Sequence, residues 1–327
     1  MRVNISKYEK NYEFNLEQIT QLTGVNFKTK DYILTSLKKH FSSSKYSEYE
    51  ELMIDNVKFD GELIGRKYFN AYYIKNRQEL LDSIKLTKTS IFMSYFKNII
   101  SELDNQFILQ ELSDKLEEFY IDVNKIINDR IGNIELGYEA YNVLDIIQKS
   151  DLFSCEKSYI EEMSNIDILL IYINLVTELS KKTGENAIVM ISDIDHLLEP
   201  SEYESLIEKL KNKISESNNY YIFTSSINNY VYIDEDVITG INAVNDEIFE
   251  FPSLERIKEF VENNYPYNIK LDECEFIKLL EGTVNNVGLE SYVDIQSVII
   301  SKLINRTIGL SNKKYNINQE EYSFLKA

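Results

Sequence analysis

The chain has 327 residues, a formal net charge of −19, two cysteines and two histidines. That length allows roughly two domains, and 43% hydrophobic residues with only 3 prolines and 10 glycines argue for packed cores and against a disordered chain. Cys155 and Cys274 lie far apart and form no CxxC, and His40 and His196 are the sole histidines, so zinc sites and Ser-His-Asp or Cys-His hydrolase machinery are disfavoured.

The start, MRVNISKYEK, lacks the continuous apolar run of a secretory signal, so a cytoplasmic protein is expected. RVNIS (2–6) and YEFNL (12–16) read as strands, and EQITQL leads a third up to Gly24. A helix is predicted over about 30–42, with Asp31 in its first turn and Ile33, Leu34, Leu37 and Phe41 at helical spacing. ELMIDNVKFDGELI (51–64) has the strand, Asp55-Asn56 turn, strand pattern of a hairpin, and KYFNAYYIK (67–75) reads as an aromatic-rich strand. Helical periodicity then runs from about 77 to 183. Leu112, Leu116, Phe119, Val123, Ile126 and Ile127 form one apolar stripe, and Ile166, Leu169, Leu170, Ile173 and Val176 form another. Such stripes need partner helices, so an inserted arm of antiparallel helices is expected. IDILLIYINLVTEL (166–179) carries Asp167, Asn174 and Glu178 and is too short and polar to cross a bilayer.

NAIVMIS (186–192) reads as a central strand of a parallel sheet. SEYESLIEKLKNKISE (201–216) reads as a helix capped by Ser201, and YYIFTSS (220–226) as a second buried strand. That unit should be a right-handed crossover. NDEIFEF (245–251) is a candidate for a last strand, and Pro252 and Ser253 are expected to open a mostly helical tail. The expected class is α/β: a degenerate P-loop-like α/β head split into 1–76 and 185–252, a helical arm over 77–184, and extra C-terminal helices over 253–327.

The segment QLTGVNFKTKDYILTSLKKHF (21–41) raises the question of phosphate binding. A working loop reads GxxxxGK[ST]; its glycines bring N–H groups to the phosphates, and its hydroxyl holds magnesium. With Lys28 and Thr29 on the last two motif positions, Leu22 and Phe27 stand where glycines belong. Asp193 and Asp195 follow the apolar strand, where ATPases of this kind hold magnesium. The same acids would equally solvate the strand end. Two readings stay open here: a divergent ATPase or GTPase using Lys28, Thr29 and Asp193 or Asp195, and a scaffold without hydrolysis.

Charge is unevenly spread. Residues 1–97 hold 16 basic and 12 acidic side chains, and the remainder holds 19 and 42. Such asymmetry fits a basic face on an acidic body that repels DNA except where cations gather. It also fits an ordinary acidic, partner-binding scaffold. The candidate phosphate contacts are Lys28, Lys30, Lys38, Lys39, Arg66, Lys67, Lys75 and Arg77.

Three stretches together resemble one family. They are ITQLTGVNFKTKDYILTSLKKHF, then IELGYEAYNVLDIIQKSDLFSCE (134–156), then SYIEEMSNIDILLIYINLVTELSKKTGENAIVMISDIDHLLEPSEYESL (158–206), continued by YYIFTSSINNYVYIDEDVI. Their order and spacing are similar to those of the CRISPR-associated Csn-two family of subtype II-A systems, over about residues 1–252. The resemblance implies a homotetrameric ring that threads linear double-stranded DNA without reading sequence. It implies no nuclease or ATPase activity, and work in spacer acquisition beside the adaptation integrase and the effector nuclease. It also implies possible calcium on the arm, for which Glu135, Glu139 and Asp145 are the nearest acids, without EF-hand spacing. The tail beyond residue 252 and the pair Asp193/Asp195 depart from the family pattern.

Overall fold

Alternating apolar residues on short strands decide the layers of this protein. The computed structural model describes residues 1–132, 134–137, 146–265, 270, 272–289 and 319–324. In chain order the elements begin with β1 (Arg2–Lys7), β2 (Lys10–Asn15), β3 (Ile19–Thr23), α1 (Phe27–His40), β4 (Val57–Phe59) and β5 (Phe69–Ile74). Helices α2 (Arg77–Ile84), α3 (Ile91–Ile100), α4 (Leu103–Arg130) and α5 (Asn165–Thr183) follow. Next come β6 (Asn186–Ile191), α6 (Pro200–Ile214), β7 (Tyr220–Thr224), β8 (Ile241–Val244) and β9 (Ile248–Glu250). The remaining helices are α7 (Leu254–Asn264), α8 (Glu273–Thr283) and α9 (Gln319–Phe324).

The main sheet runs β5-β6-β7-β3-β8-β9, parallel except for β9 against β8. A smaller antiparallel sheet runs β2-β1-β4. The expected α/β class is found. Along β6, Ile188 and Met190 join one core with α1 and the small sheet, while Ala187, Val189 and Ile191 join another. That second core takes in Leu80 and Leu81 of α2, Ile168, Leu169, Ile173 and Val176 of α5, and Leu206 and Ile207 of α6. A strand buried on both faces explains the unbroken apolar run. Each fully buried Leu or Ile contributes about 1.5–3 kcal/mol. A third, smaller core joins Ile238 and Ile241 to Leu254 of α7 and Phe276 and Leu280 of α8.

Several boundaries differ from the expectation. Helix α1 begins at Phe27, because the Asn26 side chain caps it by accepting from the Thr29 N–H at 3.1 Å. Helix α6 is capped by Glu199 and Glu202 with Pro200 at its first position, so Ser201 lies inside it. The first limb of 51–64 is no strand: Glu48–Met53 forms a 3-10 turn closed by Ser47 and Glu50, and Val57–Phe59 pairs with β1 instead. The inserted segment does not stand apart as a whole. Helices α2 and α5 pack on the sheet, whereas α4 has no buried residue. Among the described residues no helix is long and apolar enough to cross a membrane.

Candidate nucleic-acid interface and the strand-end crevice

Open parallel sheets bind ligands outside the carboxyl ends of their strands. Here Gly24, Asp193, Ser225 and Asn245 stand at or just beyond the ends of β3, β6, β7 and β8. Only Gly24 and Val25 separate β3 from the cap Asn26. Gly24 has φ +83°, and a Cβ there would lie 2.6 Å from the Val244 carbonyl, so glycine is required. A two-residue connection is too short to wrap a phosphate as the motif of two glycines and four intervening residues does.

The backbone donors that would face a phosphate are already used. The Gly24 N–H donates to Asn285 Oδ1 (3.2 Å), that of Val25 to Asn245 Oδ1 (2.8 Å), and that of Asn26 to the Val244 carbonyl (3.0 Å). Asn245 is held in turn, because its Nδ2 donates to the carbonyls of Asn285 (3.1 Å) and Val287 (2.7 Å). Residues from the turn after α8 thus close the loop that follows β3.

Lys30 enters the crevice, and Lys28 does not. Positions i and i+2 of a helix lie about 200° apart around its axis. Lys28 is exposed, while Lys30 is 2% exposed and its Nζ donates to the carbonyls of Gly24 (2.7 Å) and Ser225 (2.6 Å). Burial lowers the Lys30 pKa to about 8, against the opposing pull of Asp193 and Asp195. Thr29 is buried in the first turn of α1. As a phosphate contact Lys30 is therefore misplaced: it ties two strand ends together from inside.

Asp195 works on the loop after β7. It accepts from the Ser226 N–H (2.7 Å), the Ser226 hydroxyl (3.0 Å) and the Asn228 N–H (2.9 Å). Asp193 sits at φ +51°, where its N–H donates to Thr224 Oγ1 (3.0 Å) and its carboxylate accepts from the Ser192 hydroxyl (3.0 Å). Ser226 Oγ also lies 2.8 Å from His196 Nε2. A carboxylate only accepts, so the serine proton goes to Asp195 and His196 donates to the serine oxygen. Activation of a serine needs the reverse order, with histidine between acid and hydroxyl.

The eight candidate cations divide by their partners. Arg66 donates to the carbonyls of His40 (3.1 Å), Lys39 (3.4 Å), Ser44 (2.7 Å) and Ser42, closing the carboxyl end of α1. Arg77 donates to the carbonyls of Glu161 (2.7 Å) and Met163 (3.0 Å) and to Asn165 Oδ1, tying α2 to α5. Lys39 pairs with Glu50 at 2.7 Å, and its hydrogen bond holds that carboxyl at about 2. Lys75 pairs with Asp31 at 3.4 Å. Lys28, Lys38 and Lys67 are exposed and make no ion pair among the described residues. Lys38 and Lys75 both approach the Tyr73 ring, their Nζ atoms 5.1 and 5.0 Å from its centroid. Tyr73, Asn245 and Asn285 had no motif to announce them, since each acts through partners distant in sequence.

Glu139 and Asp145 lie outside the described residues, and Glu135 accepts from Asn128 Nδ2 at 3.4 Å. Among the described residues no three His, Cys, Asp or Glu side chains gather to hold a metal ion.

Fold and site together define an α/β protein with a short, internally bonded turn where a phosphate loop would lie. The chain belongs to the CRISPR-associated protein family Csn2, subfamily St, whose profile matches residues 5–319. The resemblance read from the quoted stretches is thereby borne out, and with it a CRISPR-associated role. Among solved structures the chain is similar to Stu0660 of Streptococcus thermophilus, with a TM-score of 0.75 and 20% identity over 100% of this chain and 99% of that one. That likeness speaks for the fold. No curated protein matches.

Proposed function

We propose that this protein is a non-catalytic, cytoplasmic DNA-binding protein of spacer acquisition. Four copies close into a ring around linear double-stranded DNA without reading sequence, beside the adaptation integrase and the effector nuclease. The observation that carries the reading is a set of exposed cations in the first third of the chain, of which Lys28, Lys38 and Lys67 make no ion pair among the described residues. Lys28 and Lys38 on α1, Lys67 before β5 and Lys75 after it are exposed in a chain of net charge −19. A sequence-independent ring needs inward cations opposite phosphates and no base-edge contacts. Each phosphate neutralised adds roughly 0.9 to the magnitude of the salt slope.

Assembly is supported by α4. Leu103 and Phe107 are 76% and 72% exposed, and Ile108, Leu112 and Phe119 of the same helix are exposed as well. Ile108, Leu112 and Phe119 fall within about 40° of one another around the helix axis; such an apolar face seeks another helix, and a second copy supplies one. The closed turn after β3 favours binding over hydrolysis, because its N–H groups already have acceptors.

The test compares linear and covalently closed circular duplex of the same sequence. The reading expects binding to the linear form, lost on the closed circle, and weakened by the double reversal Lys38→Glu with Lys67→Glu while the oligomer persists. Equal affinity for both forms, or saturable magnesium-nucleotide binding with turnover, would overturn it.

A further inference from the structure

The hairpin between β1 and β2 has two turn residues, Tyr8 and Glu9, with Lys7 directly opposite Lys10. Tyr8 is 77% exposed and has φ +53°. A two-residue hairpin with positive φ at its first turn position is where glycine or asparagine belongs, and a bulky side chain there is strained. Like charges directly across a strand pair also repel. The Lys7 ammonium relieves part of this by lying 4.2 Å from the Tyr32 ring centroid, which leaves Lys10 exposed at the tip. Aromatic exposure, backbone strain and a repelling pair thus coincide in four residues, and none of them helps the hairpin fold. Strain of this kind collects where a side chain is held out for use.

The chemistry narrows the partner. One ring among Lys10, Glu9 and Asn11 offers too little apolar area to insert in a lipid surface, which needs a broad apolar face. An exposed ring with an exposed cation two residues on around the same turn suits an unstacked base and its neighbouring phosphate. Unstacked bases occur at the ends and overhangs of linear DNA.

We propose that the β1–β2 hairpin is a base-stacking finger, with the Tyr8 ring on a terminal or overhanging base and Lys10 on the adjacent phosphate. This contact rests on the DNA-binding reading above and adds to it a preference for ends with single-stranded overhangs.

The test uses the full chain and a linear duplex whose overhang carries 2-aminopurine, a base whose fluorescence falls on stacking. Wild type quenches it, and Tyr8→Phe does the same. Tyr8→Gly removes the ring and relieves the strained turn, so it raises the melting midpoint by about 2 °C while abolishing the quench. The same variant lowers affinity for the overhang duplex by roughly 5- to 150-fold, the range of one base–aromatic stack. If wild type binds the duplex and Tyr8→Gly keeps both quench and affinity, the finger is wrong and the ring stands. If wild type binds no linear DNA, both fall. Tyr8-dependent binding to phosphatidylserine vesicles without any quench would also overturn the finger.

Discussion

The strand-end crevice and helix α4 solve opposite problems. In the crevice, donors and acceptors meet inside one chain: Lys30 satisfies two carbonyls, Asp195 gathers three donors, and Asn245 and Asn285 close the turn after β3. On α4 the apolar side chains Leu103, Phe107 and Leu112 stay exposed. A buried polar group left unpaired costs about 1–3 kcal/mol, so a place where ligand groups could have been satisfied has become a scaffold joint. An exposed apolar face is weakly costly in the monomer and gains only on association. Self-sufficiency marks the head as framework, and incompleteness is why α4 is the surface proposed for assembly.

The contrast breaks most visibly on α4. Ile108→Asp with Leu112→Asp should abolish the assembly, read as a fall in native mass, while far-UV circular dichroism stays unchanged. An intact oligomer would remove α4 from the interface. In the crevice, Asp195→Ala strands the Ser226 and Asn228 donors and should cost about 2–4 kcal/mol in urea unfolding, with assembly retained at low temperature. Lys30 gives a pH signature. Its folded pKa of about 8 lies below the ordinary lysine value of 10.5, so between those values the unfolded chain holds a proton that the native one has shed. Stability from this group therefore rises with pH across that window, by up to about 1.4 kcal/mol per unit. Lys30→Met should lose that rise, and a parallel pH profile would contradict the assignment. The smallest effect is Asn26→Ala, which removes the cap of α1 and should cost about 1 kcal/mol in the same urea titration.

How much of this was legible depended on range. The apolar run of β6 announced a strand buried on both faces, and the helical spacing of Ile33, Leu34 and Leu37 placed α1 within a few residues. Strand β8 gave no such signal: it is four residues long and carries Asn242 in its middle, fully buried because its amide bonds the backbone of Asn15. Motif spacing pointed to Lys28, but helix rotation brings Lys30 inward instead. The roles of Arg66 and Arg77 were equally hidden. A guanidinium bonded to carbonyls from a helix end looks, in sequence, like one free for phosphate. The closing of the turn after β3 depends on residues more than two hundred positions away, which no local pattern records.

Native mass spectrometry of the protein, with and without a short linear duplex, bears most directly on the ring. The account predicts a species of four chains that gains the mass of one duplex. A chain that stays monomeric at micromolar concentration, or a tetramer that takes up no duplex at low salt, would contradict it.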